Sequence, residues 1–334
     1  MIAALPLLFL LSADTAPHVV VRTRKCMGTE CEFKAFAADE ALVDRAFARG
    51  FDEFDRIEAL TTSWRPDSEV AHINEAAGKK PVPVSKDTLA IIEKSLWVSS
   101  LTDGAFDITI GVYKGLWKFD EDRDGTLPDP KEVERRRQLV SWHDVILDKK
   151  RRTVMLRRPG QAINLGGIAK GYAVDAAVKA IRKAGLHDFI VKAGGDLFAA
   201  GKKGDRAWRV GIQDPRAPHG QIIFELPITD QAFNTSGDYE RFVIKDGVRY
   251  HHILDARTGF PARESRSVTL LAADSFTADA LDTAIFAVGP DKGLKIVAGV
   301  KNLEAVIVDA KNQVHVTPGL KNRLVKHGDP TDGL

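Results

Sequence analysis

From His18 to Phe36 the chain is rich in β-branched residues, and Met27-Gly28-Thr29 interrupts the run, which predicts a hairpin turning at that point. Between Asp39 and Leu60 the apolar residues Val43, Phe47, Phe51, Phe54 and Ile57 fall at helical spacing. Residues 87–101 repeat that pattern through Leu89, Ile92, Leu96 and Val98. An alanine-rich helical pattern covers Ile168 to Ala184, and a short apolar run, Phe189-Ile190-Val191, follows it. Strands are predicted at 207–213, 222–228, 241–245 and 266–272, a helix at 276–287, and β-rich segments near 303–309 and 313–317. Strands and helices mix without strict βαβ alternation, so the predicted fold class is α+β rather than a doubly wound sheet.

The stretch 119–137 (FDEDRDGTLPDPKEVERRR) reads as a solvated loop leading into a surface helix. An EF-hand reading fails there, because Asp120, Asp122 and Asp124 have no glutamate in the last loop position. No internal repeat at solenoid periods is present. The chain has 48 basic and 46 acidic side chains, a formal net charge of +2, which argues against a protein built to coat nucleic acid. The two cysteines, Cys26 and Cys31, lack zinc-finger spacing and are too few for a disulfide scaffold; they are one bridge or two plain thiols, and the structural reading is preferred to a redox one.

Residues 1–12 (MIAALPLLFLLS) are nearly all apolar, too short to span a bilayer, and followed by the small residues Ser12, Ala13 and Ala16. Residues 1–16 therefore read as a signal peptide, although no Lys or Arg precedes the apolar run. They predict an exported, periplasmic protein or one facing the outside of the inner membrane. No cysteine follows to carry a lipid anchor.

Five stretches carry residues suited to chemistry. Asn164 to Tyr172 (NLGGIAKGY) places glycines at a helix start, where backbone approaches a ligand closely and free N–H groups favour an anion. Lys170 adds a charge in the first turn, and a phosphate group suits the combination as well as plain packing glycines do. Thr277 to Ala284 (TADALDTA) puts Asp279 and Thr283 on one helix face with Asp282 beside them, amid small and apolar neighbours. Those oxygens suit Mg²⁺, and a carboxylate in such a helix needs a partner if it is buried. His251 to Gly259 reads as a strand end running into a turn, with one of the two histidines facing away from the other. Asn234 to Tyr239 reads as a polar loop, and Gly194-Gly195-Asp196 as either a tight turn or a close approach to ligand.

Taken together and in order, these segments resemble the ApbE family of FAD:protein FMN transferases. The matching stretches are Met27 to Thr29, Gly104 to Thr109, Asn164 to Tyr172, Gly194 to Asp196, Thr235 to Gly237, His252 to Gly259 and Ala278 to Thr283. The resemblance implies a single T-fold-related α+β domain over 17–334, of mixed, mainly antiparallel sheets flanked by helices. It implies Mg²⁺-dependent splitting of FAD, with FMN joined through a phosphoester to a Thr or Ser hydroxyl of an acceptor protein and AMP released. It also implies roles: Asp279 and Thr283 as metal ligands with the Gly167 carbonyl as a third; Met27, Ala105, Phe106, Asp107, Asn164, Lys170 and Leu254 lining the FAD site; and His252 as the base on the acceptor hydroxyl. The family usually carries aspartate at the position of Asn164; asparagine keeps the hydrogen bonding and loses a charge, so weaker metal or flavin binding is expected. No flavin-accepting segment is found in the chain, so the acceptor is expected to be a separate protein, a membrane-bound or exported redox subunit. Two other readings use the same parts: an FAD pyrophosphatase releasing FMN and AMP, and a non-enzymatic FAD-binding protein.

Overall fold

The computed structural model describes residues 16–119 and 123–333, so residues 1–15 of the expected signal peptide and two of the three EF-hand-like aspartates lie outside the described residues. The chain runs β1 (His18–Cys26), β2 (Thr29–Ala37), α1 (Glu40–Thr61), α2 (Glu69–Glu75), β3 (Val82–Pro83), α3 (Lys86–Leu101), α4 (Pro130–Arg137), β4 (Val145–Asp148) and β5 (Thr153–Leu156). It continues with α5 (Ala169–Lys183), β6 (Phe189–Ala193), β7 (Asp196–Ala200), β8 (Trp208–Gln213), β9 (Ile222–Ile228) and β10 (Gln231–Gly237). It ends with β11 (Phe242–Lys245), β12 (Val248–His251), β13 (Leu254–Asp255), β14 (Phe260–Pro261), β15 (Ser265–Ala272), α6 (Ser275–Gly299), β16 (Glu304–Asp309), β17 (Val314–Val316) and β18 (Val325–Lys326). The fold is α+β and mainly antiparallel, as the sequence pattern predicts.

An eight-stranded antiparallel sheet in the order β1-β2-β6-β7-β10-β15-β16-β17 divides two cores. Along each inner strand, side chains alternate between them. Phe189, Val191, Ala232, Leu270 and Ile307 face α1, α3, α5 and α6, whereas Ile190, Ala199, Phe233, Leu271, Val306 and Val308 meet the small sheet β18-β9-β8. Burial on both faces explains the successive apolar residues of β6, β15 and β16. α1 starts at Asp39, whose side chain accepts the Leu42 N–H, and buries Val43, Phe47, Phe54 and Ile57 as its period demands. Phe51, on the rim of that stripe, stacks on Phe33. Cys26 and Cys31 are free thiols buried in the first hairpin.

The helical run expected at 276–287 starts at Ser275 and breaks at Gly289 (φ 76°, ψ 179°), and a second helical run continues from Pro290 to Gly299 across that kink. One expectation needs correction. Asn234 to Gly237 is not a loop but the end of β10, paired to β7 and β15 in the middle of the sheet. Its polar residues are partnered by buried polar groups from neighbouring elements, so the strand lacks the apolar alternation that would reveal it.

Candidate active site

Chain reversals at one end of the large sheet converge with the starts of α5 and α6. The β1–β2 turn holds Met27 at φ 49° and Gly28 at φ 73°, and the Met27 N–H donates to Glu58. Thr29 lies against Gly194 of the two-residue β6–β7 turn. Gly195 next to it packs on the Thr235 carbonyl so closely that a Cβ would overlap it. The glycine pair is therefore a tight turn and a close approach at once, with strand β10 as the neighbour. Asp196, the first residue of β7, then faces inward.

The glycine bend before α5 is set by Asn164, whose Oδ1 accepts the Gly166 N–H at 2.7 Å. An amide oxygen fills that place as a carboxylate oxygen would, so the bend itself does not need the charge. Next to it, a Cβ built on Gly167 would lie 3.6 Å from the Phe106 ring and 3.8 Å from Thr283 Cγ2. The upstream bend and the late helix are thus in contact. One turn into α5, Gly171 presses on α6, where its Cβ would sit 2.6 Å from Asp279 Cβ and nearer still to the Ser275 carbonyl. The Gly171 N–H donates to Asp279 Oδ2 at 2.7 Å. The positive end of α5 thus engages this carboxylate.

Lys170 Nζ lies 2.8 Å from Asp196 Oδ2 and 3.5 Å from Asp279 Oδ1. Its ammonium is engaged by two carboxylates rather than presented free to a phosphate. Burial alone would lower its pKa; Asp196 and Asp279 more than offset this and hold it above the usual lysine range. Asn234 Nδ2 donates to Asp196 Oδ1 at 2.9 Å and Ser275 joins the network. Ser236 Oγ donates to Asp282 Oδ1 at 3.0 Å and lies 3.0 Å from Thr283 Oγ1. Asp196, Asp279 and Asp282 are 2%, 2% and 1% exposed. Burial, with Asp279 nearby, pushes the Asp196 carboxyl up to about 7, and Asp282 well above the usual range.

Three buried carboxylates share one ammonium, and a divalent cation would offset the repulsion that, with burial, raises Asp196 and Asp282. Among the described residues no three His, Cys, Asp or Glu side chains are grouped to hold a metal. The oxygen donors that the contacts bring near one another are the Asp279 carboxylate, the Thr283 hydroxyl and the backbone of the Gly167 bend. Oxygen donors of this kind, few in number, match Mg²⁺, which completes its shell with water and substrate oxygens.

The two histidines have different environments. The Ile253 N–H donates to His251 Nδ1 (3.3 Å), so Nε2 carries the proton and donates to the Ala262 carbonyl (2.9 Å). His251 also packs edge-on against Phe286 and is a structural residue, held neutral by burial with its pKa lowered to about 4. His252 points elsewhere; its Nδ1 is buried with no hydrogen-bond partner, and burial followed by Arg241 lowers its pKa to about 3. For His251 the sign is direct. Between pH 6.5 and about 4 the unfolded chain takes up a proton that the folded one refuses, so this residue's contribution to stability falls as pH falls. His251→Gln is expected to narrow the stability gap from wild type by about 2–3 kcal/mol between pH 7 and 4.5, read by urea unfolding at each pH.

The remaining residues singled out by sequence lie on segments that backbone hydrogen bonds hold together. The Ala256 N–H donates to the Ala105 carbonyl at 3.0 Å, tying the turn after His252 to the segment Gly104–Asp107. Leu254 begins the short β13–β14 hairpin there. Asp107 uses both oxygens internally: Oδ1 accepts from Thr109 N and Oγ1, Oδ2 from Trp142 N, so it braces the segment rather than offering a free carboxylate. Met27 reaches the site only through Thr29 and the Gly194 turn. Sequence reasoning missed the site roles of Asp196, Asn234 and Ser236. The only signal was their position in two short polar motifs, each of which also fits an ordinary turn.

Fold and site together define an α+β domain with one buried, carboxylate-rich centre at the end of an antiparallel sheet. A family model described as the ApbE family matches residues 27–307, and the chain belongs to that family. It is 34% identical over 289 residues to an FAD:protein FMN transferase of Klebsiella pneumoniae (strain 342), covering 86% of this chain and 88% of that one. It is 32% identical over 319 residues to the FAD:protein FMN transferase of Treponema pallidum (strain Nichols), covering 91% and 88%. The crystal structure of the ApbE protein from Thermotoga maritima superposes with a TM-score of 0.80 at 32% identity, covering 92% of this chain and 99% of that one. The flavin transferase ApbE from Vibrio cholerae gives a TM-score of 0.79 at 25% identity over the same shares.

Proposed function

We propose that this protein is a transferase that moves FMN from FAD to a Thr or Ser hydroxyl of a separate acceptor protein, releasing AMP, with Mg²⁺ required. The relatives' shared name supports the transferase class. The convergence of the Gly167 bend with Asp279 and Thr283 carries the chemistry. In this reading the acceptor oxygen forms a bond to the FMN phosphorus, the bond from that phosphorus to the bridging oxygen breaks, and AMP leaves with the bridging oxygen. Asp279, Thr283 and the Gly167 carbonyl would hold Mg²⁺, which when bound neutralises the diphosphate oxygens and stabilises charge as it shifts to the leaving group.

The protein's own groups do the rest. Lys170 stabilises the two carboxylates it touches. Phe106, Ala105 and Leu254 form the apolar wall of the FAD site, with Met27 at its far side and Asp107 bracing the segment behind it. Asn164 keeps the bend in shape. His252 is uncharged at neutral pH, its Nδ1 is buried without a hydrogen-bond partner, and in this reading it is the residue that takes the acceptor hydroxyl's proton. His252→Asn is expected to lower kcat by about 10²–10⁴-fold while FAD affinity stays within a few-fold, measured by flavin transfer rate and FAD titration. We further propose that residues 1–16 direct export, so that the acceptor is an exported or membrane-bound redox subunit.

The test is direct: purified protein, FAD, Mg²⁺ and a candidate acceptor yield a fluorescent acceptor band and AMP in equal amounts. FMN accumulating without any acceptor would make it a pyrophosphatase instead, and unchanged FAD would make it a binding protein.

A further inference from the structure

We infer that Asp282 is a positioning residue for the metal centre, acting through the hydroxyl of Thr283; this rests on Thr283 being a metal ligand. Asp282 is the most deeply buried of the three site carboxylates, at 1% exposure, and its side chain meets no cation within ion-pair distance among the described residues. Its Oδ1 instead collects Ser236 Oγ at 3.0 Å, Thr283 Oγ1 at 3.3 Å and the Thr283 N–H. Ser236 Oγ and Thr283 Oγ1 are 3.0 Å apart, closing a triangle of two hydroxyls on one carboxylate oxygen.

The proton count in that triangle sets the geometry. A hydroxyl that offers a lone pair to a metal must direct its own proton elsewhere. Among the described residues, Asp282 Oδ1 and Ser236 Oγ are the groups hydrogen-bonded to Thr283 Oγ1, and Ser236 has its own proton to place on one of the other two. With Asp282 taking the Thr283 proton, both hydroxyl protons are accounted for, and the Thr283 lone pairs are left facing away from Asp282. Gly167 lies on the methyl side of the same residue, 3.8 Å from Thr283 Cγ2. With alanine at 282 the hydroxyl would be free to rotate. Outer partners of this kind change metal affinity by roughly 10–100-fold.

The test reads metal affinity rather than activity: Mn²⁺ binding by electron paramagnetic resonance in the absence of FAD, on wild type, D282A, D282N, T283A and the double variant D282A/T283A. Thermal melts in metal-free buffer establish that each variant is folded. Asp282→Ala is expected to weaken Mn²⁺ binding by about 10–100-fold. Asp282→Asn, which keeps an acceptor oxygen for Thr283, is expected to recover most of that loss. In the T283A background D282A is expected to have little further effect, because the residue it serves is gone. Full additivity of the two losses, an unchanged affinity in D282A, or D282N binding as weakly as D282A would each overturn the inference. Wild-type affinity in T283A would instead overturn the ligand assignment on which it rests.

Discussion

Asp279→Ala is expected to abolish divalent-cation binding and to reduce flavin transfer by about 10³-fold or more, the equivalent of several kcal/mol of charge stabilisation at the diphosphate. Asp279 reaches from α6 to the start of α5: its Oδ2 takes the Gly171 N–H and its Oδ1 faces Lys170. Removing it leaves a buried backbone donor and loosens the lysine. It also removes the repulsion that adds to burial in raising Asp196 and Asp282 above their usual range. Because these effects on stability oppose one another, the melting temperature is expected to move far less than the activity. Isothermal titration with MgCl₂ and a flavin-transfer assay on the same preparation separate the two. A variant that still binds Mg²⁺ would show that the carboxylate is not a ligand.

The second large effect belongs to a residue with no side chain. A methyl group at Gly171 would collide with the Ser275 carbonyl and lie 2.6 Å from Asp279 Cβ, atoms belonging to a helix that cannot yield locally. Gly171→Ala therefore forces the α5–α6 crossing apart, with an expected loss of about 1–3 kcal/mol or more. The same displacement carries Asp279 away from the Gly167 bend, so metal affinity is expected to fall together with stability. Thermal unfolding and Mn²⁺ titration of this variant are expected to shift in parallel, unlike those of Asp279→Ala. A Gly171→Ala protein with wild-type melting and wild-type metal affinity would show that the crossing has slack which the packing distances do not contain.

The sequence reveals one helix of this centre and hides the strand beside it. Asp279 and Thr283 four apart in a run of small and apolar residues mark a helix face that must be buried, and α6 places them there. The glycines at 166, 167 and 171 mark close approach, but a one-dimensional pattern cannot say to what; two of them contact the late helix or its residues. β10 was illegible for a physical reason. Asn234, Thr235 and Ser236 sit at buried or half-buried positions but are paired with Asp196, Thr269 and Asp282, so polarity there marks a satisfied network rather than solvent. Lys170 invites a phosphate reading on charge alone, and only the distances show that two carboxylates hold it. The neighbouring histidines look equivalent in the sequence, yet hydrogen-bond direction makes His251 a neutral strut and leaves His252 with an unpaired nitrogen.

The most direct test is anomalous scattering from crystals grown with Mn²⁺ and FAD. A single strong peak is expected between the Gly167 carbonyl, an Asp279 oxygen and the Thr283 hydroxyl, with the remaining contacts to diphosphate oxygens and water. A peak at any other position, or flavin transfer that proceeds undiminished in EDTA while those three groups stay bare, would contradict the account.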